Sequence, residues 1–371
     1  MVIAVAAIFI SALIINALFE KTAFKGVRCN LEPDRKIAEI NEEIIIASTV
    51  TNEKSVPLDC VYMDEYFPNG IKITSSTSTR EQDKSNVGFN MHRVLQLSNR
   101  LYMRHNSKNT INRCVRIEKR GRYVFHGGSV KIGTFLGLSE LEKSFSVYKE
   151  IIILPKRIET DELREIVGGI IGDISVRRFI FEDPILTMGY REYTGREPMK
   201  AISWTQTAKS GELTVKKYDF TTEITVSVVL CMSCERSAVK AFTEKQVGNM
   251  ERAISITRTV CEMLDLKRIP YSFTTNAHIS GGRRIRLSLK DGFGQAHLTA
   301  VLESLGRASY DTLESVRDTV LSAKINTGES STVILITSEC TAEFEDAAEA
   351  LKKAVNCRVI DAGSLPGEVT E

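Results

Sequence analysis

The chain has 371 residues, 43% of them apolar, with 49 basic against 47 acidic side chains and a formal net charge of +2. That length is enough for two or three domains with packed cores, and so even a balance excludes the strongly basic surface of a general nucleic-acid binder. Aromatic residues make up 7% and are not interleaved with basic ones, which excludes a base-stacking platform.

Residues 2–19, VIAVAAIFISALIINALF, carry no charge and approach the length that crosses a bilayer. No basic residue precedes them, the run is longer than a signal-peptide core, and EKTAFKGVRC lacks a small-x-small cleavage site. Residues 1–20 are therefore read as a transmembrane anchor, with a signal peptide or a buried helix as the alternatives. Lys21, Lys25 and Arg28 follow the run. The positive-inside rule then places a single-pass protein in the cell membrane with the bulk of the chain cytoplasmic.

Residues 27–155 read as short strands. IIIASTVTN (44–52), VPLDCVYMDEY (56–66) and RYVFHGGSVKIGTF (122–135) are rich in β-branched and aromatic residues and are punctuated by Asn, Pro and Gly. Their spacing predicts an immunoglobulin-like β-sandwich. The polar stretch 75–88 reads as a loop, and Gly127-Gly128 as a hairpin turn between YVFH and SVKIG.

Residues 156–221 read as a linker. Thr160 is an N-cap for the helix in ETDELREIVGGIIG, with Glu162 in its first turn. The pair Gly168-Gly169 is expected to end or weaken that helix. The connector then runs YREYTGREPMKAISWTQTAKSG (190–211), with the only Trp of the chain. A Trp there can bury a large flat surface while its indole N–H takes a partner. Arg191, Lys209 and Lys216 are suited to acidic groups on a neighbouring domain or a partner. Trp204 is accordingly read first as a lock between domains, and second as a partner-binding surface.

From residue 222 to 365 the pattern changes. EITVSVVLCM (223–232) and STVILITSEC (331–340) are apolar runs of buried-strand length. Val247, Met250, Ile254, Thr257, Cys261 and Leu264 recur at helical spacing within 239–265. Strands are read at 271–280, 283–290 and 357–363, and helices at 297–309, 310–323 and 342–356. Strands alternating with helices predict a parallel, doubly wound α/β sheet.

Eight cysteines are scattered in a long chain rather than gathered in a dense framework, which favours reduced thiols. One C-x-x-C, Cys231-Met-Ser-Cys234, raises zinc or redox chemistry. Zinc would need two further ligands: Cys340 is placed near the same edge of a parallel sheet, since both strands end at its carboxyl side, whereas His278 and His297 are candidates for the fourth only by type, and ordinary buried thiols are the plainer reading. The five histidines form no H-E-x-x-H, no nucleophile elbow or phosphate loop occurs, and GFGQAH (292–297) reads as a turn before a helix. No catalytic residue, metal or other cofactor is expected, and the chain is not read as an enzyme.

The connector carries a resemblance. Arg191, Tyr193 and Gly195, then Lys200, Ile202 and Trp204, then Thr207, Ala208, Lys209, Gly211, Leu213, Val215 and Lys216 resemble the signature of the domain of unknown function 58 family. The chain departs from it in having Arg196 where Asp is usual and Lys200 where Arg is usual. The resemblance implies a membrane anchor, a β-sandwich, the motif, and a von Willebrand factor A-like domain at 222–365. It implies a non-catalytic, membrane-tethered adaptor working with a MoxR-type AAA ATPase. Domains of the von Willebrand A type often hold Mg²⁺ at a first strand ending Asp-x-Ser-x-Ser. Here Cys231 takes the Asp position, Ser233 remains, Glu235 replaces the second Ser, and Thr337 remains on a later strand. A thiol is a poor ligand for a hard cation, so the site reads as degenerate. Two rivals stay open: a metal- or thiol-dependent protein using Cys231 and Cys234, and a cell-envelope adhesion protein.

Overall fold

A computed structural model describes residues 2–76, 94–134, 140–178, 183–195, 197–219, 225–232, 242–326 and 332–364. The chain divides into two compact units, Met1–Lys156 and Arg157–Glu371.

The first unit opens with α1 (Val2–Thr22), followed by β1 (Val27–Pro33), β2 (Ile37–Ala38), β3 (Ile44–Asn52), β4 (Leu58–Pro68), β5 (Ile71–Ser76), β6 (Val94–Met103), β7 (Ser107–Ile117), β8 (Gly121–Gly133) and β9 (Glu140–Ile153). Two sheets form, in the orders β1-β3-β7-β5 and β2-β9-β8-β4-β6. Alternation decides their inner faces. In β3, Ile44, Ile46, Ser48 and Val50 are buried while the residues between them are not. Leu31, Ile44, Ile46, Val115 and Ile117 of one sheet share a core with Phe67, Leu97, Phe125, Ile151 and Ile153 of the other.

One ion pair bridges the two inner faces. Arg113 on β7 donates to Glu65 Oε2 on β4 through Nε at 2.9 Å and a terminal nitrogen at 2.5 Å. Asn99 on β6 donates to the same oxygen at 3.0 Å. Their side chains are 3% and 0% exposed, so the pair is dry.

Gly127-Gly128 is not a hairpin turn. Strand β8 runs straight through it, with a register shift against β9 between Phe125 and Gly127. Gly127 adopts φ +102°, and a Cβ there would lie 2.2 Å from the Phe145 carbonyl oxygen, while one on Gly128 would lie 1.9 Å from that of Asp64. The glycines make a β-bulge where three strands approach closely.

The second unit contains α2 (Asp161–Arg178), β10 (Asp183–Glu192), a 3₁₀ turn (Met199–Ala201), α3 (Trp204–Ser210), β11 (Thr214–Asp219), β12 (Val226–Cys231), α4 (Glu244–Leu266), β13 (Tyr271–Thr275), β14 (Ala277–Ile279), β15 (Leu287–Gly292), α5 (Gln295–Arg307), β16 (Ala308–Thr312), α6 (Val316–Asn326), β17 (Thr332–Thr337), α7 (Ala342–Lys352) and β18 (Asn356–Asp361). Its main sheet has the order β15-β13-β12-β17-β18. The last four are parallel, and β15 joins antiparallel to β13. Every residue of β12 and of β17 is buried, as a strand covered on both faces requires. Helix α4 starts at a capping box, in which Thr243 and Gln246 satisfy each other's backbone N–H. Its buried stripe of Met250, Ile254, Cys261 and Leu264 joins the core of the sheet.

Two local readings change. Helix α2 continues through Gly168 and Gly169, because Leu163, Val167, Ile170 and Ile171 are buried along it and tertiary packing outweighs the cost of the glycines. Residues 308–312, read as helix, form β16 against β14, and α6 begins only at Val316.

The expected fold class is corrected. Among the described residues the chain is mostly β-sheet, in five sheets with seven helices, and no helix is long and apolar enough to cross a membrane. The expected single-pass anchoring and the cell-membrane localisation drawn from it are therefore not supported. The end of α1 is instead engaged with the sandwich: Phe19 packs on the core of Val50, Leu58 and Met63, and Lys54 Nζ sits 5.7 Å above its ring. Hydropathy alone could not anticipate that partner.

Candidate functional site

The connector folds as a small module. Strands β10 and β11 pair antiparallel, with Tyr190 opposite Lys216, Arg191 opposite Val215 and Glu192 opposite Thr214. The 3₁₀ turn and α3 lie between them in sequence. Ser203 N donates to Thr214 O at 2.9 Å, and Ile202 bridges to Val215. Thr207 on α3 accepts from Thr214 N through its hydroxyl at 3.1 Å. Among the residues of this segment whose side chains are described, Ile202, Ser203, Thr214 and Val215 are buried. Gly211 ends α3 in the left-handed conformation at φ +78°, which explains a Gly there. Gly195 turns the chain at φ +87°.

Arg191 closes on its own module. Its guanidinium donates to Glu197 Oε1 at 2.6 Å. Thr194 completes the clasp, donating its hydroxyl at 2.8 Å and its backbone N–H at 3.1 Å to the same carboxylate. The Thr194 hydroxyl, then the backbone donors and Arg191, hold the Glu197 carboxyl at about 2, well below the usual range. The clasp fixes the turn at Gly195.

Trp204 stands at the first position of α3 and is 60% exposed. Tyr190, Met199 and Leu213 of the same module are exposed too. Lys200, Lys209 and Lys216 are exposed beside them, and Tyr193 is half-buried with its N–H bonded to Leu213 O at 2.8 Å. Arg196 lies outside the described residues. Four large exposed apolar side chains, Tyr190, Met199, Trp204 and Leu213, thus fall within one small module.

At the carboxyl end of the main sheet, Cys231 and Thr337 are neighbours in the β12–β17 register. Thr337 turns its hydroxyl to the Glu339 carbonyl at 2.8 Å. Burial pushes the Cys231 thiol up to about 12, which leaves it protonated and a poor nucleophile at neutral pH. Ser233, Cys234 and Glu235 lie outside the described residues. No group of three His, Cys, Asp or Glu side chains that could hold a metal ion occurs among the described residues. Cys340 is exposed rather than gathered with Cys231, and the seven described cysteines are free. Sequence reading missed Asn276, which is buried beside this edge and bonds both the N–H (2.8 Å) and the C=O (3.1 Å) of Met232. An Asn just past a strand was the available signal.

No protein-family model and no curated protein matches the chain. Among solved structures it is similar in part to the cohesin module of a family 33 glycoside hydrolase from Clostridium perfringens, at 14% identity and a TM-score of 0.24, covering 34% of this chain and 96% of that one. It is also similar to the cupredoxin domain of amoB from Nitrosocaldus yellowstonii, at 6% identity and a TM-score of 0.22, over 37% and 92% of the two chains. Spo0M, a sporulation control protein from Bacillus subtilis, shows 9% identity and a TM-score of 0.21, over 45% and 58%. Likenesses this distant carry no argument about function, and none supports the immunoglobulin-like or von Willebrand labels expected above.

Proposed function

We propose that the chain is a non-catalytic adaptor whose partner-binding surface is the β10–α3–β11 module, with a MoxR-type AAA ATPase as the partner. The exposure of Trp204 carries the reading. A Trp held on a short capped helix, on a module pinned by the Arg191–Glu197–Thr194 clasp, presents a rigid anchor of the kind that dominates protein interfaces. The ATPase comes from the resemblance of the motif to the domain of unknown function 58 family. Lys200, Lys209 and Lys216 favour an acidic rim on the partner.

The test is recovery of the tagged chain from its native host after crosslinking, with Trp204→Ala and Arg191→Ala in parallel. An AAA ATPase recovered with the wild type and lost from folded Trp204→Ala supports the reading. Equal recovery with all three chains removes the motif from the interface, and no ATPase at all removes the partner.

A further inference from the structure

Methionine is an apolar side chain that a mild oxidant turns polar, and exposure decides which methionine the oxidant reaches. Among the methionines whose side chains are described, Met63, Met103, Met232 and Met250 are at most 1% exposed. Met263 is half-buried against the core of the main sheet. Met199 stands apart at 67%.

Its place in the fold holds it there. Met199 opens the 3₁₀ turn after Pro198, and its carbonyl accepts from Ile202 N at 3.2 Å, while Ala201 N donates to Pro198 O at 2.9 Å. Ile202 is buried and bridges to Val215, so the turn is anchored three residues further on. With two-thirds of Met199 in solvent, an oxygen on its sulfur need not break the packing of the module. The same oxygen at Met63 or Met250 would put a polar group into a core.

We propose that Met199 is a reversible oxidation site for hydroperoxides, and that its sulfoxide cuts the large exposed apolar side chains of the β10–α3–β11 module from four to three. In the step the thioether sulfur attacks the O–O bond of hydrogen peroxide. One S–O bond forms, the O–O bond breaks, sulfur gives up two electrons, and the second oxygen leaves as water. A methionine sulfoxide reductase removes the added oxygen as water while a dithiol becomes a disulfide. The thioether has no proton to lose, whereas a thiol reacts as its thiolate, so mild acid silences the exposed Cys340 and leaves Met199 reactive. The chemistry needs no partner protein.

The test is a hydrogen peroxide time course on the full chain at about pH 5, quantified at each methionine by peptide mass spectrometry, with Met199→Leu in parallel. The expected result is sulfoxide at Met199 about tenfold or more faster than at Met63, Met103, Met232 and Met250, and about threefold or more faster than at Met263, because buried sites react only when the fold opens. Amide protection of β11 should survive the oxidation, and methionine sulfoxide reductases should restore Met199 in the folded chain. Oxidised wild type should be held less tightly by a phenyl chromatography matrix, and most of that shift should be absent from oxidised Met199→Leu. Oxidation of Met199 at the pace of the four buried methionines, or only after β11 has lost protection, overturns the site. A sulfoxide that the reductases leave in place overturns its reversibility. An equal chromatographic shift in oxidised Met199→Leu puts the change elsewhere and overturns the effect on the module.

Discussion

The buried pair Arg113–Glu65 gives a sharp prediction about what holds the sandwich together. Arg113→Met keeps the volume and removes the charge. Glu65 is left fully buried, with Asn99 as its remaining donor at 3.0 Å. An uncompensated buried carboxylate costs about 3–5 kcal/mol, a large part of the ~5–15 kcal/mol that holds a typical domain. Replacing both partners, Arg113→Met with Glu65→Leu, leaves no orphaned charge. That double variant should be close to wild type or up to about 4 kcal/mol more stable. The assay is urea unfolding with linear extrapolation. The only Trp belongs to the second unit, so the transition must be followed by near-ultraviolet dichroism or by amide exchange in β3 and β7. A double variant as unstable as the single one would refute the electrostatic reasoning and put the cost in packing. A single variant within about 1 kcal/mol of wild type would show that water reaches the carboxylate.

Three further predictions follow from the module and the thiols. Trp204→Ala should leave stability within about 0.5 kcal/mol, since the ring is mostly in solvent. If a partner covers the exposed 60% of a side chain of roughly 200 Å² at about 25 cal/mol/Å², up to about 3 kcal/mol is at stake, or roughly 100-fold in affinity by titration calorimetry. The Glu197 carboxyl is depressed in the folded chain, so its clasp is fully present above the ordinary carboxyl range and is lost as pH falls through about 2. The Thr194 amide resonance should therefore shift with a midpoint near 2 rather than near 4.5, and Arg191→Met should raise that midpoint. Native-state alkylation at pH 8 should modify Cys340 before Cys231, because Cys231 is buried and its thiol is held near 12. Early labelling of Cys231 would show that the end of β12 opens.

The strands at 226–231 and 332–337 were legible because a run of β-branched and aliphatic residues admits few other uses. The stripe of α4 was legible because Met250, Ile254, Cys261 and Leu264 repeat at the period of the helix. Both signals are local. What failed was decided at a distance. Gly127-Gly128 looks like a turn to its own neighbours, and becomes a bulge only because Phe145 and Asp64 press on it from two other strands. Gly168-Gly169 should weaken a helix, and does not end it because the face of α2 is buried. The apolar stretch at the start of the chain reads as a bilayer span on hydropathy, but the contact of Phe19 with the sandwich comes from residues more than thirty positions away.

The connector divides in the same way. Its sequence alone determined where an unusual segment lay, through a single Trp among Gly, Pro and basic residues, and through its likeness to a known motif. Only the tertiary structure decided that Arg191 closes on Glu197 of its own module and that Trp204 is exposed. Residue identity fixes the chemistry a side chain can perform, whereas exposure, pairing and the direction of the main chain depend on which distant residues come to lie beside it.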